Sequence, residues 1–170
     1  MQPHNYSHES TATMTRYFED FKVGEIWRSR PVTLSADDIV GFARQYDPQP
    51  IHTDAELAAR SAFGALVASG WQIAAISMRL FIESGGYGKT PVIGLGIDEL
   101  RWVQPVKAGD TLTVVREVAE LRRSASNPAH GIVRTRVTVR NQADAVVMTL
   151  ISAGRVPARP AAASVEGVAP

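Results

Sequence analysis

The segment Tyr46-Asp47-Pro48-Gln49-Pro50-Ile51-His52 holds a carboxylate and an imidazole at the two ends of a short connector. Prolines 48 and 50 fix their own φ and push Asp47 and Gln49 toward extended geometry, so the connector is stiff. An acid and an imidazole held in this way can share one water. One group accepts its proton while the other orients it or returns a proton elsewhere. A position between two helices and close to a buried core is expected to shift both pKa values toward neutrality. The same residues also have a plainer use, because Asp before Pro is a common turn initiator and a His ahead of a helix cap can simply bond a backbone carbonyl.

The flanking elements must position this pair. Ser35 begins a helix with Ile39, Phe42, Ala43 and Tyr46 on one face, and Pro48 ends it at Asp47. Thr53-Asp54-Ala55-Glu56 reads as a capping box in which Thr53 and Glu56 satisfy each other's amides, opening a short helix to about Ser61. After Phe63-Gly64-Ala65-Leu66-Val67-Ala68-Ser69-Gly70 comes a helix over Trp71 to Glu83, apolar almost all the way round and therefore expected to be buried on most faces. Ile26 to Thr33 reads as an edge strand containing Pro31. Beyond Thr90 the chain reads as strands over about 92–103, 111–121, 131–140 and 146–153, rich in Val, Thr, Leu and Ile and joined by short turns that favour an antiparallel meander. A helix of ~14 residues is ~21 Å long, and a curved sheet of five or six strands can wrap it. The expected class is α+β, in the arrangement called the hotdog fold, although this arithmetic alone does not separate it from other α+β layer folds.

Composition narrows the function classes. The 170 residues contain no cysteine, 18 Lys and Arg against 17 Asp and Glu, and 7% aromatic residues, so no basic stripe interleaved with stacking rings is available for nucleic acid. No run approaches the ~20 apolar residues that cross a bilayer, and a soluble cytoplasmic protein is expected. A single domain over 16–156 is expected, with a flexible tail over 1–15 and a Pro/Ala-rich one over 157–170. Without cysteine, the chemistry must use oxygen and nitrogen groups. His4 and His8 have a metal-compatible spacing but no helical pattern around them, and no metal site is expected. Asp110 reads as a turn residue, His130 as solvent-facing in a loop, and Ser77 as a small packing residue without a nucleophile elbow. Gly94-Leu95-Gly96 is followed by strand-like residues, so it is no dinucleotide fingerprint.

The run FARQYDPQPIHTDAELAARSAFGALVASGWQ, followed by ELRWVQPVKAGDTL, resembles the MaoC-like dehydratases and (R)-specific enoyl-CoA hydratases over roughly Phe18 to Val156. The Asp-Pro-x-Pro-Ile-His core is its most specific part. The resemblance implies a hydro-lyase that adds water to a trans-2-enoyl thioester of coenzyme A, or removes it, with Asp47 and His52 as the water-activating dyad. It implies that the backbone N–H of Gly70 polarises the thioester carbonyl. An N–H at a helix N-terminus suits the enolate charge that develops there, and glycine permits close approach. Coenzyme A is then part of the substrate and no cofactor is expected.

Departures from the family pattern are Tyr46, Gln49 and Ser69, where relatives often carry Gly, Asn and His. Tyr46 is expected to line the acyl pocket and Gln49 to supply an amide hydrogen bond. A homodimer or higher even oligomer is expected, since hotdog sheets usually bury their free faces against a second copy. The alternatives are an acyl-CoA thioesterase and an accessory acyl-thioester-binding subunit of a heteromeric dehydratase. Charge is uneven: residues 16–99 hold 8 basic and 11 acidic side chains, and residues 101–156 hold 9 and 4. Arg134, Arg136 and Arg140 should share one strand face, with Arg122 and Arg123 ending the preceding strand. An exposed polar face is the plain reading, and contact with coenzyme A phosphates the bolder one.

Overall fold

A computed structural model describes residues 14–160, and His4 and His8 lie outside that range. The elements are β1 (Ile26–Arg28), β2 (Val32–Thr33), α1 (Ala36–Tyr46), α2 (Pro50–Thr53), α3 (Ala55–Ala59), α4 (Gly70–Glu83), β3 (Ile93–Trp102), β4 (Thr111–Arg123), β5 (His130–Arg140) and β6 (Val146–Pro157). A 3-10 turn over Phe18–Asp20 precedes them.

The sheet is antiparallel, in the order β1-β4-β5-β6-β3, with β2 also on β4. The meander runs only through β4, β5 and β6. Strand β3 crosses to the far edge and pairs with β6. Along β5 every second residue from Gly131 to Val139 is buried, which puts Val133, Val137 and Val139 on the inner face. Leu34, Ile39, Leu112, Val114 and Met148 complete a core under the inner side of α4. Each such side chain contributes roughly 1.5–3 kcal/mol by leaving water. This is the hotdog arrangement, a curved sheet around a central helix.

Four local expectations change. Ile26 to Thr33 is two short strands, because the chain breaks at Arg30-Pro31 after Ser29 bonds Val114. The cap of α3 is Asp54, whose Oδ1 accepts from the N–H groups of Glu56 and Leu57, both at 2.9 Å. Thr53 is unavailable for capping: Pro50 starts a separate turn, and the Thr53 hydroxyl donates back to the Gln49 carbonyl at 3.1 Å. Helix α4 is buried on one side only. Its inner face carries Gln72, Ile73, Ser77, Leu80 and Phe81, while Trp71, Met78 and Ile82 are about half exposed in the single chain. Finally, Pro157 belongs to β6, and Arg159 is held by Glu19 and Asp20.

Candidate active site

Helix α1 is opened by a reciprocal cap between Ser35 and Asp38 and closed by Asp47, whose N–H still reaches the Ala43 carbonyl at 2.9 Å. Pro48 prevents another turn, and extended Gln49 leads into α2 with Pro50 as its first residue. His52 is thereby set one turn beyond Asp47. The segment preceding α4 receives it: Val67 bridges to Lys107, its N–H bonds Ile51, and its carbonyl meets the imidazole. A carbonyl can only accept, so His52 Nδ1 is the donor in this 2.7 Å bond. In the neutral ring Nε2 is then an acceptor, and it lies 3.4 Å from Asp47 Oδ2. The His52 side chain is 8% exposed and that of Asp47 19%, which leaves the pair reachable through the acid.

The amide of Gln49 donates to Asp47 Oδ1 at 2.8 Å. That bond, followed by one from the Ser69 hydroxyl, holds the Asp47 carboxyl below the usual carboxylate range and outweighs partial burial, which acts the other way. The expected shift of this acid toward neutrality is therefore reversed in direction. Gln49, expected to bond substrate, spends its amide on the acid.

Ser69 is fully buried and caps α4, its Oγ accepting from Trp71 N–H at 3.3 Å. Next to it, the Gly70 N–H has no hydrogen-bond partner among the described residues. A Cβ on Gly70 would overlap the indole of Trp102, so packing already demands glycine here. Trp71 meets the same indole edge-on at 5.4 Å. Asp47, His52, Ser69 and Gly70 thus gather where α1, α2 and α4 converge. Tyr46 stands apart: it is 64% exposed and packs on Phe42 with ring centroids 5.0 Å apart.

The remaining candidates have structural partners. Asp110 accepts from Lys107 N–H and from Gln142, as a turn residue would. Ser77 bonds its own helix at Ala74. His130 begins β5 half-buried, with Nδ1 enclosed and unpartnered, and is not the loop residue expected. Arg134 pairs with Asp98 and Glu120, Arg136 with Glu117 and Arg140 with Asp144, an exposed face of ion pairs, whereas Arg123 pairs with Glu19 beside Phe18 on the other side of the sheet. Among the described residues, no group of three or more His, Cys, Asp or Glu is placed to hold a metal ion, and no helix is long and apolar enough to cross a membrane.

Val67 and Ser69 were missed as contributors. A backbone carbonyl has no residue signature, and Ser69 stood out only as a departure from a pattern.

Comparison with known proteins gives this geometry a context. Residues 21–141 match the family described as MaoC like domain. The 3-hydroxybutyryl-CoA dehydratase of Methylorubrum extorquens is 38% identical over 109 residues, which span 62% of this chain and 65% of that protein. The crystal structure of the MaoC-like dehydratase from Rhodospirillum rubrum superposes with a TM-score of 0.76 at 38% identity, covering 86% of this chain and 99% of that one. The (R)-hydratase from A. caviae involved in PHA biosynthesis superposes with a TM-score of 0.69 at 26% identity, covering 82% and 99%.

Proposed function

From the premise that the chain belongs to the MaoC-like domain family, we propose that it hydrates trans-2-enoyl-CoA thioesters to 3-hydroxyacyl-CoA and catalyses the reverse dehydration. One observation carries this reading. The acceptor atoms Asp47 Oδ2 and His52 Nε2 converge at 3.4 Å, with the other imidazole nitrogen committed to Val67. Two acceptors facing each other have no proton to share in the neutral-imidazole state, and a water donating one hydrogen to each satisfies both. As the water oxygen bonds C3 of the enoyl group, the dyad takes one of its protons. The electron pair of the double bond moves onto the thioester oxygen, and the dyad returns a proton to C2, so it ends unchanged. The unpartnered Gly70 N–H, at the positive end of α4, is suited to the charge on that oxygen.

The active form in this proposal is a homodimer. The half-exposed residues Trp71, Met78 and Ile82 of α4 continue into Ile97 and Trp102 of β3, whose outer edge is unpaired among the described residues. A cavity of about 560 Å³ opens between these two elements. Trp102 joins this face to Gly70, so a second copy covering it would also wall the thioester site.

The purified protein is expected to abolish the conjugated thioester absorbance of crotonyl-CoA, and Asp47→Asn or His52→Ala to prevent it. Release of free thiol from saturated acyl-CoA without hydration would identify a thioesterase. Activity appearing only on addition of a second subunit would identify an accessory chain. Light scattering should give twice the chain mass, and Met78→Glu should halve it.

A further inference from the structure

Alternation along β4 puts Leu112, Val114, Arg116 and Val118 on the inner face of the sheet. Arg116 is 3% exposed. Its guanidinium lies 4.1 Å over the ring of Phe81, in the last turn of α4, and one terminal nitrogen donates to Ser152 Oγ at 3.1 Å. Its Nε is enclosed and has no partner, and no carboxylate pairs with it among the described residues. A guanidinium cannot shed its proton in a protein, so a positive charge is buried here without a counter-charge.

Arg116 faces a cavity of about 600 Å³, within the range of small-molecule sites. Trp27, Phe81 and Tyr87 form its apolar wall, with Phe81 meeting the other two edge-on at 5.2 and 4.7 Å. Trp27 Nε1 is a second enclosed donor without a partner. The charged residues around the cavity are Arg16, Lys22, Arg28, Arg116 and Arg159 against Asp20 and Glu25. Both acids are already engaged, Glu25 with Arg16 at 2.8 Å and Asp20 with Arg159 at 2.6 Å. Lys22 and Arg28 are exposed to water, which leaves Arg116 as the one buried cation without a counter-charge among the described residues around the cavity. With two orphaned donors and an aromatic wall it specifies a ligand with acceptor oxygens, one negative charge and an apolar body. Phe81 lies eleven residues along α4 from Gly70, roughly 16 Å away at the helical rise, so this cavity is separate from the Asp47–His52 site.

We propose that this cavity binds a small monocarboxylate, its carboxylate on Arg116 and Trp27 and its apolar body against Phe81 and Tyr87. The full chain is titrated calorimetrically with hexanoate and benzoate, with hexanamide and benzamide, and with inorganic phosphate. Saturable binding of at least one carboxylate is expected, with the amides and phosphate far weaker. Arg116→Met should weaken carboxylate binding about 10- to 100-fold, the loss of a charge-assisted hydrogen bond. Trp27→Phe, which keeps the ring and removes the donor, should weaken it about fivefold or more, and decides the matter should Arg116→Met not fold. Asp47→Asn should leave binding unchanged. The proposal is overturned if neither carboxylate binds, if the amides or phosphate bind as well as the carboxylates, or if affinity survives in Arg116→Met. Unchanged affinity in Trp27→Phe, or binding abolished in Asp47→Asn, overturns it equally.

Discussion

The two ends of α4 use polar groups in opposite senses. At the Gly70 end, acceptors converge: Asp47 Oδ2 and His52 Nε2 face each other, and each residue is held by a bond through its other side-chain atom. At the Phe81 end, donors stand unmatched, namely Arg116 Nε and Trp27 Nε1. In the two proposals the first end receives protons on a pair of side-chain acceptors beside one free backbone donor, Gly70 N–H, and the second receives negative charge on side-chain donors alone. A sheet wrapped along a helix covers its flank and leaves both tips accessible, so one helix can present two unlike chemistries.

The strongest way to break this comparison is to disable the acceptor end. Asp47→Asn and His52→Ala are each expected to cost about 10²–10⁴ in crotonyl-CoA turnover, and the double variant little more than the worse single one, because the pair acts as a unit. Additive losses in steady-state rates would contradict that. Gly70→Ala retains the N–H but drives a methyl into Trp102, and misplacement of the helix start should lower kcat/KM about 10²-fold. Recovery in Gly70→Ala/Trp102→Ala would assign the loss to that overlap.

Gln49→Ala sharpens the electrostatic side. Gln49 and then Ser69 depress the pKa of Asp47, so the wild-type acid stays ionised to lower pH than an ordinary carboxylate. A depressed folded-state pKa contributes stability that is present above the unfolded value and is lost as pH falls through the folded one. The variant should therefore lose activity at a higher pH in an acid titration and show a smaller acid-dependent fall in Tm. The smallest expected effect is from Asp54→Ala, about 1 kcal/mol in denaturant unfolding from loss of the α3 cap, with the pH profile unmoved.

Much of the acceptor end could be read from residue order, because prolines and caps act locally. Ser35 and Pro48 fix where α1 starts and stops, Pro50 fixes where His52 falls, and richness in Val, Thr, Leu and Ile between turn residues marks β3 to β6 within a few residues. What escaped depends on competition or on distant chain. Thr53 and Asp54 are both capable caps, and the choice turns on whether the Thr53 hydroxyl is already spent on Gln49. An apolar helix announces burial without saying by what, and the open side of α4 follows only from a sheet that covers its other side. Arg116 carried a usable signal in its register with Leu112, Val114 and Val118, but a charge in a strand is ordinarily taken as outward-facing. The lowered pKa of Asp47 follows from donors two and twenty-two residues away, and only the nearer could be suspected.

The place of β3 beside β6 bears on how the chain is made. Translation delivers β3 well before its partner: Ile93–Trp102 emerges first, and Val146–Pro157 follows roughly fifty residues later. At about 5–20 residues per second, that interval is several seconds. During it, Ile93, Leu95 and Ile97 have neither their ladder nor a finished sheet beside them. The nascent protein is then most exposed to association with other unfinished chains through the very strand that the mature fold places at its edge.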